Sequence, residues 1–152
     1  MASHSQKTAK LYYSLEKPYD LHPRSAYNSP GIDLPIQETI TLKPLERVLC
    51  NTRIKFFIPS NFYGQLASRS STTKLGIWVH SGVIDNEYTG TIKLSLKNCN
   101  SFEITIHQGD FLAQLLILPV VHPELIPLKN IEMRTERCDG SFGSSDMQLN
   151  TV

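Results

Sequence analysis

One acidic side chain and one aromatic ring, Asp85 and Tyr88, stand three residues apart in the segment Gly82-Val83-Ile84-Asp85-Asn86-Glu87-Tyr88-Thr89-Gly90. With a glycine at either end, the segment reads as a turn. A carboxylate held on a rigid turn can orient and deprotonate a water, and a tyrosine beside it offers a flat wall to a sugar or base. The same residues also suit an ordinary hairpin with a polar Asp-Asn-Glu tip. On this segment alone both readings stand.

Three further segments carry reactive groups. Arg69-Ser70-Ser71-Thr72-Thr73-Lys74 sets a guanidinium beside four consecutive hydroxyls, where a strand meets a short helical turn. Free backbone N–H groups at such a junction favour anions, and the arginine adds a fork matched to phosphate oxygens. The alternative is a solvated capping segment. Ser29-Pro30-Gly31-Ile32-Asp33-Leu34 places an acid between two apolar residues after a glycine. That is either a turn leading into a strand or a carboxylate positioned for a hydrated metal near phosphates. In Gly109-Asp110-Phe111-Leu112-Ala113-Gln114 the amide interrupts an apolar run. A buried amide needs partners, so Gln114 either braces a loop or faces a ligand.

Other chemistries find no support. The five histidines (4, 22, 80, 107 and 122) have no metal-ligand spacing among themselves or with the cysteines. His80, near the Asp85 turn, reads as structural. No serine sits in a nucleophile elbow and no Walker-type loop is present, so covalent catalysis is not suggested.

The elements that must position these groups read as an all-β protein. Short apolar runs alternate with Pro, Gly, Asn and Ser. Residues 52–58 and 62–67, separated by Pro59-Ser60-Asn61, are predicted to form a hairpin. A strand follows over 75–79. Residues 91–97 alternate without fault, which turns Ile92, Leu94 and Leu96 toward a core. Phe102, Ile104 and Ile106 mark one face of another strand. Gln108-Gly109-Asp110 then turns the chain into 111–118, a nearly all-apolar strand expected to be buried on both sides. Only 68–74 suits a helical turn. Many short strands with frequent turns imply a sandwich or jelly roll.

A chain of 152 residues is most simply one domain. Its 15 basic and 14 acidic residues give a formal net charge of +1, which offers no global reason to expect nucleic acid or a membrane as partner. Cys50, Cys99 and Cys138 form no Cys-x-x-Cys pair and read as free thiols in a reducing compartment. The polar amino terminus lacks a secretory run, and the longest apolar stretch, 111–121, is too short to span a bilayer. A soluble intracellular protein, cytoplasmic or nuclear, is expected. The division expected along the chain is a disordered lead over 1–10, a β domain over 11–134 and a flexible arm over 135–152. That arm has little to bury besides Phe142, and it either frays or orders only when something lies beneath that ring.

Taken together and in order, these segments resemble the five motifs of the homotrimeric deoxyuridine triphosphatases (dUTPases). The motifs are Ser-Pro-Gly-Ile-Asp-Leu (29–34), Ser-Arg-Ser-Ser (68–71), Gly-Val-Ile-Asp-Asn-Glu-Tyr-Thr-Gly (82–90), Gly-Asp-Phe-Leu-Ala-Gln-Leu (109–115) and Arg-Cys-Asp-Gly-Ser-Phe-Gly-Ser-Ser (137–145). The likeness covers roughly 25–145. It implies a jelly-roll subunit with a flexible C-terminal arm, assembled as a homotrimer with three shared active sites. Each site would take motifs one, two and four from one subunit, motif three from a second and motif five from a third. The implied reaction converts dUTP and water to dUMP and pyrophosphate, with Mg²⁺ on the triphosphate.

Carried over by position, Asp85 activates the water and Tyr88 packs under the deoxyribose, rejecting a 2′-hydroxyl. Gly82, Val83 and Ile84 belong to the turn that offers main-chain groups to uracil. Arg69, Ser70, Ser71 and Gln114 fall on the phosphate side. Asp33 approaches the metal indirectly, through water. Arg137, Phe142, Gly143 and Ser144 belong to the arm, with Arg137 meeting phosphate and Phe142 stacking over uracil. The chain departs from the pattern at Pro30 (usually Ala), at Phe111 (commonly Arg), at Cys138 and Ser141 (usually Gly) and at Asp146 (usually Gly). Two alternatives remain: a dCTP deaminase-like enzyme and a non-catalytic binding protein derived from a dUTPase. The deaminase requires a catalytic Glu where this chain has Ser95. A non-catalytic descendant would be expected to lose the acid or the arm.

Overall fold

A computed structural model describes residues 10–128. Twelve strands and one short helix make up the described chain, an all-β jelly roll. They are β1 (Tyr12–Leu15), β2 (Arg24–Ser25), β3 (Gly31–Pro35), β4 (Ile40–Leu42), β5 (Arg47–Asn51), β6 (Ile54–Phe57), β7 (Phe62–Ser68), α1 (Ser70–Lys74), β8 (Ile77–Val79), β9 (Val83–Ile84), β10 (Lys93–Asn98), β11 (Ile104–Ile106) and β12 (Phe111–Pro119). The largest sheet runs β2-β3-β12-β7-β9, and smaller sheets pair β5-β10-β8, β1-β6 and β11-β4. The described residues up to Val121 form one compact unit. Residues 122–128 belong to a second unit and carry no regular structure. Among the described residues no helix is long and apolar enough to cross a membrane.

The alternation read in 91–97 holds where it matters. Ile92, Leu94 and Leu96 are fully buried, and β10 is the central strand of its sheet. They pack with Leu34, Ile36, Leu42, Ile54 and Leu115 into one core. Polar anchors join them: the Asn98 carboxamide donates to the carbonyls of Leu42, Lys43 and Phe102, so a buried amide is satisfied while it ties β10 to two loops.

Three expectations change. Segments 52–58 and 62–67 do not pair as a hairpin: β6 pairs with β1, whereas β7 lies between β12 and β9. The Pro59 turn is present, closed by Phe62 N–H to Pro59 O at 3.0 Å, but it carries the chain from one sheet to another. Both strands keep their alternation because both face the same core from different sheets, and periodicity alone does not choose between those arrangements. Phe102 lies outside β11 and is 61% exposed, because its carbonyl is held by Asn98 in a bend before the strand. In β12, Leu112, Ala113 and Leu115 are buried as expected, but Leu116, Ile117 and Leu118 are only partly covered in the single chain.

Candidate active site

The β2-β3-β12 side of the large sheet assembles the first group. Arg24, Asp33 and Gln114 are cross-strand partners in one row over β2, β3 and β12. Gly31 opens β3 beneath Gln114, and a Cβ at that position would occupy the place of the Gln114 carboxamide. That absence of a side chain lets Gln114 lie flat and donate from Nε2 to the Ser68 carbonyl at 3.0 Å. The carboxamide thus ties β12 to the end of β7, where Arg69 begins.

Arg69 is held on three sides. Its main-chain N–H reaches Leu112 O (3.3 Å), its Nη1 donates to Phe111 O (2.8 Å), and its Nε pairs with Asp33 Oδ1 (2.8 Å). The short helix after it is anchored by the buried Thr72 hydroxyl, which donates to Leu112 O at 2.7 Å. Ser70 and Ser71 stand exposed on its first turn.

Asp33 is shared. Its second oxygen accepts from Arg24 Nη2 at 3.0 Å, and the Arg24 guanidinium lies 4.3 Å over the Phe111 ring. Arg24 lies outside all five motif segments, so sequence reasoning missed it. Its only local signal is a basic residue in a two-residue strand.

The second group lies at the sheet edge. β9 pairs with Gly64 and Gln65, and Gly82 O accepts from Leu66 N–H (2.9 Å) and Gln65 Nε2 (3.4 Å). The turn closes through Tyr88 N–H to Asp85 O at 3.0 Å. The Tyr88 hydroxyl donates to Thr91 O at 2.9 Å across Gly90, where a Cβ would stand 2.5 Å from that hydroxyl. The Asp85 carboxylate is exposed and enters no ion pair or hydrogen bond among the described residues. His80 stacks on Trp78 with ring centroids 4.2 Å apart, in keeping with a structural role.

One chain does not bring the two groups together. The Asp33 row meets β7 at Ala67, whereas Ile84 meets β7 at Gly64 and the chain then runs on away from Ala67. Three strand spacings across and four residues along place Asp85 about 20 Å from Asp33. No hydrogen bond or ion pair among the described residues joins the groups. Arg137, Phe142, Gly143 and Ser144 lie outside the described residues, as do Cys138, Ser141 and Asp146. An apolar cavity of about 400 Å³, lined by Tyr13, Pro23, Ile32, Phe56 and Phe62, contains neither group.

The sequence matches the dUTPase family over residues 17–146. A deoxyuridine 5′-triphosphate nucleotidohydrolase of Hydrogenobaculum is 36% identical over 122 residues, covering 78% of this chain and 84% of its own. That of Wolbachia pipientis is 42% identical over 126 residues, covering 77% and 80%. Among solved structures, a dUTPase variant of Staphylococcus bacteriophage 80alpha with dUpNHpp superposes with a TM-score of 0.83 at 27% identity, over 91% of this chain and 99% of that one. A dUTPase variant from phage phi11 of S. aureus, described for its coordination of a structural Mg(II) ion, superposes with a TM-score of 0.76 at 25% identity, over 82% and 100%. The matched span takes in Asp33, Arg69, Asp85, Tyr88, Gln114, Arg137 and Phe142 alike, and on that breadth the chain belongs to the dUTPase family.

Proposed function

We propose that the protein hydrolyses dUTP to dUMP and pyrophosphate at sites shared between copies of the chain. The observation that carries this reading is the Asp85 carboxylate: unpaired among the described residues, exposed, and mounted on a turn braced by β7 and by Tyr88. A carboxylate so placed is free to take a proton from water. The water oxygen bonds to the α-phosphorus, the bond from that phosphorus to the bridging oxygen breaks, and pyrophosphate leaves with the electron pair. General-base assistance of this kind contributes about 10²–10⁴-fold.

The phosphate side is the Asp33 and Arg69 cluster. Arg69 is fixed before substrate arrives, so its remaining N–H groups meet charge on the leaving pyrophosphate without reorganising. Ser70, Ser71 and the arm residue Arg137 add donors there. Magnesium would fit here as an ion carried by the triphosphate. Asp33 already accepts from two arginines, and no group of three metal-ligating side chains occurs among the described residues. When bound, the ion would neutralise triphosphate charge, and Asp33 is the residue that would approach it, through water.

On the base side, Gly82, Val83 and Ile84 present main chain to uracil, and Tyr88 lies against the sugar. The phenol is fixed by its bond to Thr91, which leaves no slack for a 2′-hydroxyl. Phe142, Gly143 and Ser144 close over the base from an arm, excluding water and holding reacting atoms in line. The span of about 20 Å between Asp85 and Asp33 favours sites completed by a second copy, because three linked phosphoryl groups cover only a fraction of it. A homotrimer supplies that arrangement by rotation.

Pyrophosphate release measured with dUTP, dCTP, dTTP and UTP in the presence of Mg²⁺ tests the proposal. Turnover of dUTP far above the other three is expected. Ammonia from dCTP would support the deaminase reading, and no release from any nucleotide would support the non-catalytic one.

A further inference from the structure

Two guanidinium groups converge on one carboxylate on β3 of the large sheet. Asp33 receives Arg69 Nε on one oxygen at 2.8 Å and Arg24 Nη2 on the other at 3.0 Å. Two positive charges against one negative leave a surplus positive charge at this point. The two arginines are not equivalent. Arg69 makes its three protein contacts and has 27% of its side chain exposed, whereas Arg24 uses one N–H and is 56% exposed. A guanidinium carries five N–H donors, so four of those on Arg24 remain available.

An exposed arginine ordinarily wanders among rotamers, and ordering it costs conformational entropy. Here it is held at both ends. Arg24 leaves β2 as the cross-strand partner of Asp33, and its guanidinium lies on Phe111, 4.3 Å from the ring centroid. The ring fixes the plane of the fork and shields one of its faces. Arg69 lies 5.9 Å from the same centroid, so Phe111 spaces the two cations while Asp33 joins them. Phe111 therefore does not simply subtract a charge from its segment. It provides the surface on which a charge from another strand rests.

We propose that Arg24 is a further phosphate-binding residue of this site, a fork pre-set by Asp33 and Phe111 for the β- and γ-phosphates of the nucleotide. This rests on the reading of the Asp33 and Arg69 cluster as the triphosphate side. Arg24 takes oxygens that Arg69 does not reach, and the planar bidentate geometry suits phosphate better than an ammonium would.

The test is calorimetric binding of three probes, α,β-imido-dUTP, dUMP and inorganic tripolyphosphate, to the full chain and to Arg24→Gln, Arg24→Lys and Phe111→Leu. Arg24→Gln is expected to weaken imido-dUTP and tripolyphosphate by about tenfold and leave dUMP within twofold. Arg24→Lys keeps the charge but not the fork and is expected to lie between. Phe111→Leu, which leaves Arg24 in place but unsupported, should also lie between. Equal losses for dUMP and imido-dUTP would reveal a merely structural role and overturn the proposal. Undiminished triphosphate binding in Arg24→Gln would overturn it too, while leaving the reading of the site intact. Should the unsubstituted chain bind neither imido-dUTP nor tripolyphosphate, the site reading itself fails and this proposal falls with it.

Discussion

If the catalytic acid and the phosphate cluster of one site come from different copies, two inactive variants must rescue each other. Asp85→Asn removes the base and keeps the cluster, whereas Arg69→Ala removes the phosphate anchor and keeps the base. The premise is geometric. Asp33 pairs with Gln114 and so reaches Ala67, while Ile84 pairs with Gly64, and Asp85 lies about 20 Å from the cluster within its own chain. In an equal mixture reassembled at random, a site is intact when one copy supplies a sound Arg69 and its neighbour a sound Asp85. Each condition holds half the time, so about one quarter of sites recover. Pyrophosphate release from dUTP, measured after the variants are unfolded and refolded together, should reach about one quarter of the unsubstituted rate. Each variant refolded alone should stay near background. A mixture no more active than the average of its components would refute shared sites. A single-chain site predicts that result, since every chain then carries one defect.

Gly31→Ala should force the Gln114 carboxamide off Gly31 and away from Ser68 O, costing about 1–3 kcal/mol in thermal or denaturant unfolding. An unchanged midpoint would show that Gln114 braces nothing. Burial pushes the Cys50 thiol above its ordinary value, so it stays protonated over a wider pH range, whereas Cys99 is exposed. Iodoacetamide at mildly alkaline pH, followed by site-resolved mass spectrometry, should label Cys99 at least about tenfold faster than Cys50. Labelling at Cys50 should rise only as the pH is taken further up. Equal rates would contradict the packing around Cys50.

The local structure that carries the candidate site is legible in sequence because its groups sit in short segments. The Asp85 turn, the helical turn after Arg69 and the turn at Asp110 are each specified by neighbours in sequence, and each forms where expected. What sequence did not reveal is register. Alternation in 52–58 and 62–67 correctly says which side chains face inward, yet not that β6 belongs with β1 and β7 with β12. Arg24 was invisible for the same reason, since only the pairing of β2 with β3 brings it beside Asp33. The contact of Phe111 with Arg24 is hidden likewise, because a neighbour across the sheet cannot be read from neighbours along the chain. The packing of Gln114 is hidden for the same reason, since Gly31, distant in sequence, lies beneath it only in the fold.

The most direct measurement is the steady-state turnover of Asp85→Asn on dUTP with Mg²⁺, made alongside its affinity for α,β-imido-dUTP and its oligomeric state. The substitution is nearly isosteric and touches a side chain with no internal partner among the described residues. We therefore expect assembly and analogue affinity to be kept while kcat falls by at least about 10²-fold. Turnover within a few-fold of the unsubstituted protein would contradict the assignment of the water-activating oxygen to position 85.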